Sequence, residues 1–248
     1  CIRDRMVRDH QVALYDDIGE LARDVDALML ESVDGSQHPE QFQLMAIGKP
    51  VFIDKPFAVS TAAAREMIEL SRATRTPIMS CSSLRYAAGI ADMIGADEEV
   101  VSCEAFGSAP ILEDFPGLFW YGIHSAEILY TFMGRGCQSV RCVGYDDVDV
   151  VIGQWADGRL GMMRCTRFEA NGFGCVVHTD SGPTCGTAQS HPPYYAPLLE
   201  SIVEFFRSGV SPVDAQETLE IISFIEAADR SWELGGGVIQ LEVHREQE

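Results

Sequence analysis

The part of the sequence that most constrains the fold is a short apolar run, residues 51–53, followed directly by the charged turn Asp54-Lys55-Pro56. Val, Phe and Ile in succession predict a parallel strand that is covered on both faces. Pro56 disfavours the helical region for Lys55, so we expect the lysine in an extended turn at the carboxyl end of that strand. Ligands of open α/β sheets bind outside these strand ends, and the turn is therefore a candidate ligand site.

The scarcity of lysine points to the same turn. The 18 basic residues include only two lysines, Lys49 and Lys55, and both lie between Gly48 and Phe57. An ammonium group is compact and its pKa shifts readily on burial, whereas a guanidinium stays charged. We therefore favour a functional role for Lys55, with an ordinary surface lysine as the alternative.

Helices and strands alternate over the first third of the chain, which is typical of a doubly wound parallel sheet. Asp16 or Asp17 is the predicted cap of the first helix, and Ser60 is the predicted cap of the third. Predicted helices cover residues 16–23, 36–47 and 60–73, and predicted strands cover residues 27–30, 50–53 and 77–81.

The pattern changes after Leu84. Strands then follow one another without helices between them, which predicts an antiparallel sheet. We therefore expect two domains, residues 1–84 and 85–248. Predicted strands of the second domain cover residues 100–106, 139–145, 149–155, 159–168, 174–179 and 238–243, and predicted helices cover 87–95, part of 115–133, 194–207 and 214–234.

Composition argues against several classes of protein. The formal net charge of −20 at pH 7 disfavours binding to nucleic acid or to an anionic membrane surface. No apolar run is as long as a membrane span. The eight cysteines include no Cys-x-x-Cys pair and the histidines show no ligand spacing, so we expect no metal site. Scattered free cysteines favour a reducing, cytoplasmic setting.

A series of short motifs runs through nearly the whole chain. The first domain contains Asp24-Val25-Asp26-Ala27, His38, Gly48-Lys49-Pro50 and Asp54-Lys55-Pro56. The second domain contains Gly122 to Glu127, Leu129 to Gly134, and Pro212 to Ser231 followed by Gly236. In this order and spacing, the chain resembles the glucose–fructose oxidoreductase / inositol dehydrogenase / MocA family of nicotinamide-dependent oxidoreductases.

The resemblance implies an α/β fold, in which a Rossmann-like parallel sheet that binds NAD or NADP is followed by an α+β domain with an open antiparallel sheet. It also implies hydride transfer to or from a hydroxyl group. Lys55 would then be the electrostatic and positioning group, with Asp54 and Pro56 beside it in the cofactor site. His124 would take or give the hydroxyl proton. Family members oligomerise through the antiparallel sheet, which implies a homo-oligomer.

The chain departs from the family pattern at three places. Asp54 stands where the family usually has Glu. Trp120 stands where the family commonly has an Asp, four residues before His124, and Glu127 on the same helical face could replace that carboxylate. The opening strand, Gly-x-Gly-x-x-Gly turn and helix, which hold the pyrophosphate, do not occur in this sequence. We therefore expect an incomplete Rossmann-like sheet that lacks the main grip on the cofactor.

Further candidate residues come with alternatives. Arg3 and Asp4 lie about where the family reads the adenosine ribose; an acidic residue favours NAD and an arginine favours NADP, so the two together make no choice. His38 could lie at the mouth of the cofactor cleft, or it could be a surface histidine that opens a helix. Arg85 could bind a substrate carboxylate or sugar hydroxyls, or it could form an interdomain ion pair.

Aromatic residues precede His124 in the sequence. Trp120 and Tyr121, with Phe115 and Phe119, could form a wall on which a sugar ring stacks, although aromatic residues beside a helix are more often core. With Arg85 and Glu127, Trp120 and Tyr121 are the predicted substrate-binding residues.

The sequence leads to one main functional hypothesis and two others. The main one is an NAD(P)-dependent oxidoreductase, or a fragment of one, that acts on a sugar- or polyol-like hydroxyl. A non-catalytic ligand-binding or regulatory protein that retains the dehydrogenase-like fold is the alternative. The third, a structural partner that pairs through the open sheet, is compatible with the first.

Overall fold

A computed structural model describes residues 2–95, 97–168 and 172–244 of the chain. Its first part contains a three-stranded parallel sheet in the order β1-β2-β3, as the alternating pattern predicted. The strands are short, the central strand β2 is fully buried, and their carboxyl ends meet at one edge of the sheet. The elements are α1 (Ile2–His10), α2 (Ile18–Asp24), β1 (Leu28–Leu30), α3 (His38–Met45), β2 (Val51–Ile53), α4 (Thr61–Thr74) and β3 (Ile78–Met79).

The predicted helix caps are confirmed in this part. Asp17 accepts a hydrogen bond from the Glu20 N–H at 2.7 Å at the start of α2, and Ser60 caps α4 in the same way. Lys49 acts at the other end of α2, where its Nζ donates to the carbonyl oxygens of Ala22 and Arg23, each at 2.8 Å. A cation at a helix C-terminus satisfies carbonyls that have no partner within the helix. Lys49 is therefore a structural lysine.

The second part is built on a seven-stranded sheet in the order β10-β5-β6-β7-β4-β8-β9. Its neighbours pair antiparallel except for β4 and β7, which run parallel. The predicted antiparallel sheet is thus confirmed with one exception. The strands are β4 (Val100–Ser108), β5 (Cys137–Tyr145), β6 (Val148–Trp155), β7 (Leu160–Thr166), β8 (Phe173–Thr179), β9 (Gly182–Thr187) and β10 (Ile239–Gln240).

The predicted helix over residues 87–95 was wrong. A 3-10 turn, Ser83–Tyr86, comes first, and turns follow it. Gly89 has a φ of +81°, and a Cβ at this position would meet the Thr187 carbonyl oxygen of β9 at 2.4 Å. The close approach of β9, a strand that the sequence did not predict, therefore requires a glycine in a left-handed conformation and ends any helix there.

Helices cover one face of the large sheet. These are α5 (Gly122–Met133) and α7 (Ala215–Glu233), which pack with the sheet around three buried rings. The ring of Tyr130 lies 5.7 Å from that of Trp155 and 5.8 Å from that of Phe224. The indole N–H of Trp155 donates to the Gly134 carbonyl at 2.9 Å, so this core has a satisfied polar group as well as packed rings.

Helix α6 (Tyr195–Ser208) lies in the last quarter of the sequence and packs against the three-stranded parallel sheet. Its residues Leu198, Ile202 and Phe205 form a buried cluster with Phe52 of β2 and Met79 of β3. One of the helices that cover the three parallel strands therefore comes from outside residues 1–84. The division at residue 84 stays a prediction.

Asp229 on α7 holds the turn that leads to α5. Both carboxylate oxygens accept from the Leu118 N–H, at 3.1 and 3.2 Å, and Gly117 has a φ of +40° with Asp229 occupying the space of its missing Cβ. Burial raises the pKa of Asp229 to about 7, although the Leu118 bond opposes the shift. This turn carries the chain directly to Trp120 and His124.

Asp229→Asn should flatten the pH dependence of stability. A carboxyl whose pKa is raised by folding stabilises the folded state at low pH, and this contribution is lost as the pH rises through about 7. We expect the variant to be more stable than the parent by about 1 kcal/mol at pH 8 and not at pH 5. Urea unfolding at both pH values measures this, with the exposed turn residue Asp146→Asn as the control; equal pH slopes for parent and variant would contradict it.

Candidate functional site

Lys55 lies in the turn after β2, at the carboxyl end of the parallel sheet, and its peptide bond to Pro56 is cis. Its Nζ is 5.5 Å from the ring centroid of Trp120 and 5.8 Å from that of Tyr121. Burial lowers the pKa of Lys55, and the neighbouring carboxylate of Asp54 opposes this. Within the part of the chain that the structure describes, no carboxylate forms an ion pair with this ammonium group. The side chain is thus a partly desolvated cation held against aromatic faces.

His124 lies in the first turn of α5, 69 positions after Lys55 in the sequence. Both side chains lie beside the ring of Tyr121, whose centroid is 5.8 Å from the Lys55 Nζ and 5.5 Å from the centroid of the His124 ring. Its Nδ1 is 2.7 Å from the hydroxyl oxygen of Ser82. Burial, and then the charge of Lys55, lowers the pKa of His124 to about 3, so its imidazole is neutral at physiological pH. Residues from the two predicted domains therefore meet at one place, as the resemblance implied.

Aromatic rings line this place. The ring of Trp120 is 4.2 Å from that of Phe115, and Tyr121 lies 5.7 Å from Trp120. Phe173 of β8 completes the group, 6.4 Å from Tyr121 and 5.3 Å from His124. No sequence signal marked Phe173, because only the pairing of β8 with β4 brings it to α5. The wall offers apolar faces beside one cation and one imidazole.

Arg85 and Glu127 pair with each other. The Arg85 Nε contacts the Glu127 carboxylate, and its Nη2 lies 2.7 Å from Oε1 of Glu217 on α7. The side chains of Arg85 and Glu127 are 10% and 4% exposed, so neither is presented to a substrate. Arg85 forms an ion pair instead of the predicted substrate contact, and both of its partners lie within the predicted second domain, so the pair is not the interdomain one that was the alternative. Glu127 likewise does not serve as the carboxylate partner of His124.

His38 is fully buried, and each of its ring nitrogens lies within hydrogen-bond distance of a backbone carbonyl oxygen. Its Nε2 lies 2.9 Å from the Ser32 carbonyl oxygen and its Nδ1 lies 3.2 Å from the Phe57 carbonyl oxygen. Ser32 follows β1 and Phe57 follows the Lys55 turn, so the imidazole ties together the loops after two adjacent strands. We correct the predicted cofactor contact of His38 accordingly: its ring supports the loop that carries Lys55.

Carboxylates also lie at the carboxyl ends of these strands. Glu31 follows β1 and Asp54 follows β2, and burial raises the pKa of both, that of Glu31 to about 7. The Asp54 carboxylate accepts from the backbone N–H of Lys55, which stabilises the turn. Pro56 is buried against Gly35, whose missing Cβ would lie 2.8 Å from the proline ring. The sequence analysis did not single out Glu31, because a lone Glu after a strand carries no pattern.

Arg3 and Asp4 both lie in α1, a helix that the sequence did not predict. Asp4 is exposed, whereas the side chain of Arg3 falls outside what the structure describes. Their contact with a cofactor stays a prediction. Across the described residues, no helix is long and apolar enough to cross a membrane, and no three His, Cys, Asp or Glu side chains gather as a metal centre requires.

The site fits one end of a nicotinamide cofactor. The Lys55 ammonium is partly buried at the carboxyl end of a parallel strand and has no carboxylate partner among the described residues. It could donate hydrogen bonds to a ribose hydroxyl, to the carboxamide of the nicotinamide or to a substrate oxygen. Lys55 would hold that end, and the Asp54 carboxylate beside it can accept from hydroxyl groups. The loops after β1 and β2 carry no Gly-x-Gly-x-x-Gly turn.

Comparison with known proteins identifies the first part of the chain. Residues 3–80 match the model of a family described as an oxidoreductase family with an NAD-binding Rossmann fold (GFO_IDH_MocA). No curated protein matches the sequence at a significant level.

Solved structures match over almost the whole chain. The crystal structure of GenD2 from gentamicin A biosynthesis, in complex with NAD, has a TM-score of 0.81 at 15% identity, over 96% of this chain and 85% of that one. The myo-inositol dehydrogenase from Lactobacillus casei, in complex with NAD(H) and myo-inositol, has a TM-score of 0.79 at 15% identity, over 98% and 87%. The myo-inositol 2-dehydrogenase from Lactobacillus plantarum has a TM-score of 0.77 at 14% identity, over 96% and 88%. At these identities the likeness shows the fold.

Proposed function

We propose that the chain, whose residues 3–80 match the GFO_IDH_MocA oxidoreductase model, belongs to that family and serves hydride transfer between NAD(P) and a sugar- or polyol-like hydroxyl. The observation that carries the proposal is the meeting of Lys55 and His124, from different parts of the fold, at the carboxyl end of the parallel sheet. An ammonium group and an imidazole on one substrate oxygen are what this reaction needs from the protein.

The chemistry divides between the cofactor and the side chains. NAD(P), when bound, supplies the hydride acceptor or donor. The Lys55 ammonium stabilises negative charge that develops on the substrate oxygen, and its burial among aromatic rings strengthens this effect because less water screens it. His124 contacts the same oxygen. Which of the two side chains takes the hydroxyl proton depends on the tautomer of His124.

The aromatic wall supports a carbohydrate-like substrate. The C–H faces of a sugar or cyclitol ring pack on rings such as those of Trp120 and Tyr121, while its hydroxyl groups reach Lys55 and His124. A small carboxylic acid would form an ion pair with Lys55 but would leave the rings of Trp120 and Tyr121 without a packing partner. The wall thus favours a ring-shaped polyhydroxylated substrate.

The test is reduction of NAD+ and of NADP+ by the protein expressed from its complete open reading frame, with myo-inositol and a panel of hexoses as probes. We expect NADH or NADPH to accumulate with at least one of these probes. Saturable binding of NADH without turnover on any of them would instead favour the ligand-binding alternative. Absence of both would contradict the proposal.

The second sheet supports the proposed homo-oligomer. The face away from α5 and α7 presents apolar side chains among charged ones: Val143 and Ile152 are 53% and 39% exposed, and the exposed Arg141 pairs with Ile152 across the two strands. A sheet face with exposed apolar residues of this kind is a candidate interaction surface. A cytoplasmic setting belongs to the same proposal, since the seven cysteines among the described residues are free.

Val143→Glu should therefore dissociate the oligomer, because it places a carboxylate opposite Val150, in the apolar part of that face. Sedimentation velocity should show a species of lower mass for this variant. Val33→Glu, an equally drastic change at an exposed apolar residue after β1, should leave the mass unchanged. A monomeric parent protein would contradict the proposed assembly.

A further inference from the structure

Ser82 is a fully buried serine just after β3, in contact with the helix that carries His124. Its hydroxyl oxygen accepts a hydrogen bond from the Leu84 N–H at 3.1 Å and lies 2.7 Å from Nδ1 of His124. Its backbone N–H donates to the Glu127 carboxylate, one turn further along α5. Two contacts, to His124 and Glu127, thus fix Ser82 against the start of α5, and the bond from Leu84 fixes it within the 3-10 turn.

The position of protons in this cluster follows from what a hydroxyl group can do. A serine hydroxyl has one proton to donate and two lone pairs to accept with. The Leu84 N–H takes one lone pair, and among the described residues the other group within hydrogen-bond distance of the hydroxyl is Nδ1 of His124, at 2.7 Å; donation to Nδ1 is therefore what gives the buried hydroxyl proton an acceptor. With its Nδ1 accepting, a neutral imidazole carries its proton on Nε2.

A carboxylate in the place of the Ser82 hydroxyl would put the proton of His124 on the other ring nitrogen. It can only accept, so it would take a proton from Nδ1 and leave the lone pair on Nε2, which makes the histidine a base. Trp120, which stands in the place of such a carboxylate, offers only an indole N–H donor. Glu127 is engaged by Arg85. Among the described neighbours of the His124 ring, Lys55 is the charged group, and Tyr121 and Phe173 pack on the ring edge-on.

We propose that Ser82 is the positioning residue of His124 and holds it as a neutral hydrogen-bond donor, with the proton on Nε2. This inference rests on the proposed function and changes the predicted role of His124. In the oxidation direction, His124 donates to the substrate oxygen and the amine form of Lys55 accepts the hydroxyl proton. The C–H bond gives its electron pair to NAD(P)+ as hydride, and the C=O bond forms. Burial lowers the pKa of Lys55, so its ammonium group gives up a proton more easily than that of an exposed lysine.

Ser82 does not itself attack a substrate, although a serine beside a histidine is the arrangement of a nucleophile. Its side chain has no exposed surface, so a substrate carbonyl cannot reach Oγ. The hydroxyl acts only through His124.

The decisive measurement is the 15N spectrum of the imidazole groups in the complete protein labelled with 15N-histidine, without cofactor or substrate. His124 is assigned by the loss of its signals in His124→Asn. We expect Nδ1 to be unprotonated and Nε2 to be protonated throughout the neutral pH range. A proton on Nδ1 in the parent protein would overturn the inference, and this result requires no variant of Ser82 to fold.

Variants of Ser82 test the cause. Ser82→Ala should mix the two tautomers of His124 and lower kcat roughly tenfold with KM unchanged. Ser82→Thr keeps the hydroxyl, so it should restore the single tautomer and the kcat of the parent protein. Ser83→Ala, at the next buried serine, should leave the tautomer as in the parent. An unchanged His124 spectrum in Ser82→Ala would also overturn the inference. Because the spectrum is recorded without turnover, its outcome is independent of whether the proposed oxidoreductase reaction is observed.

Discussion

Lys55→Met is expected to lower turnover by roughly 10²- to 10³-fold, the cost of removing one group that stabilises charge on a reacting oxygen. The variant keeps the length and apolar stem of the side chain, so the packing against Trp120 and Tyr121 should survive. It removes a partly buried cation that has no carboxylate partner among the described residues, so the free energy of unfolding should stay the same or rise slightly. Steady-state kinetics and urea unfolding of the same preparation measure both effects.

Lys49→Met is the matched control, because the chain contains only these two lysines. Lys49 donates to the last carbonyls of α2, and its loss should cost about 1–2 kcal/mol of stability. Turnover of the folded protein should not change. If both variants lost activity alike, or if Lys55→Met kept it, Lys55 would have no part in the reaction.

Arg85→Met is expected to be the most destabilising single change, at about 3–5 kcal/mol, because removing one partner of a buried ion pair leaves the other charge uncompensated. Here two carboxylates, those of Glu127 and Glu217, would lose the same guanidinium. The loss should be smaller at acid pH. Burial raises the pKa of Glu127, and the variant lacks the arginine that opposes this shift, so the carboxyl is stable when protonated and costs stability as the pH rises.

Arg135→Met provides the comparison for this variant. It removes an exposed ion pair with Asp214, in which the side chains are 50% and 59% exposed, and should cost at most about 1 kcal/mol. Urea unfolding of both variants at pH 5 and pH 8 measures the difference. A loss for Arg85→Met no larger than that for Arg135→Met would show that the buried pair does not hold the 3-10 turn to α5 and α7.

The sequence could predict those elements whose pattern is local. The buried run 51–53, the cap at Ser60 and the succession of strands after residue 100 depend on neighbouring residues, and the structure has them where the pattern placed them. The helix predicted over residues 87–95 failed for a non-local reason. Its glycine is required by the approach of β9, which lies about 100 residues further along the chain.

The candidate site was predictable in its location but not in its contacts. Lys55 could be named because it follows a buried strand, whereas His124 could be named only through the resemblance to the family. The partner of His124 could not, because Ser82 reaches it only through the packing of the 3-10 turn on α5. The pairing of Arg85 with Glu127, which removes both from the substrate, depends on the same contact.

The measurement that tests the central claim most directly is a titration of the complete protein with NADH, followed by energy transfer from tryptophan. Trp120 lies 5.5 Å from the Lys55 ammonium, whereas Trp155 lies in the core of the large sheet and the third tryptophan, Trp232, lies exposed near the end of α7. If the nicotinamide binds beside Lys55, tryptophan excitation should sensitise NADH emission in a saturable manner, and Trp120→Phe should reduce the transfer more than Trp155→Phe or Trp232→Phe does, without abolishing binding. Absence of NADH binding, or transfer that is unchanged in Trp120→Phe, would contradict the placement of the cofactor at this site.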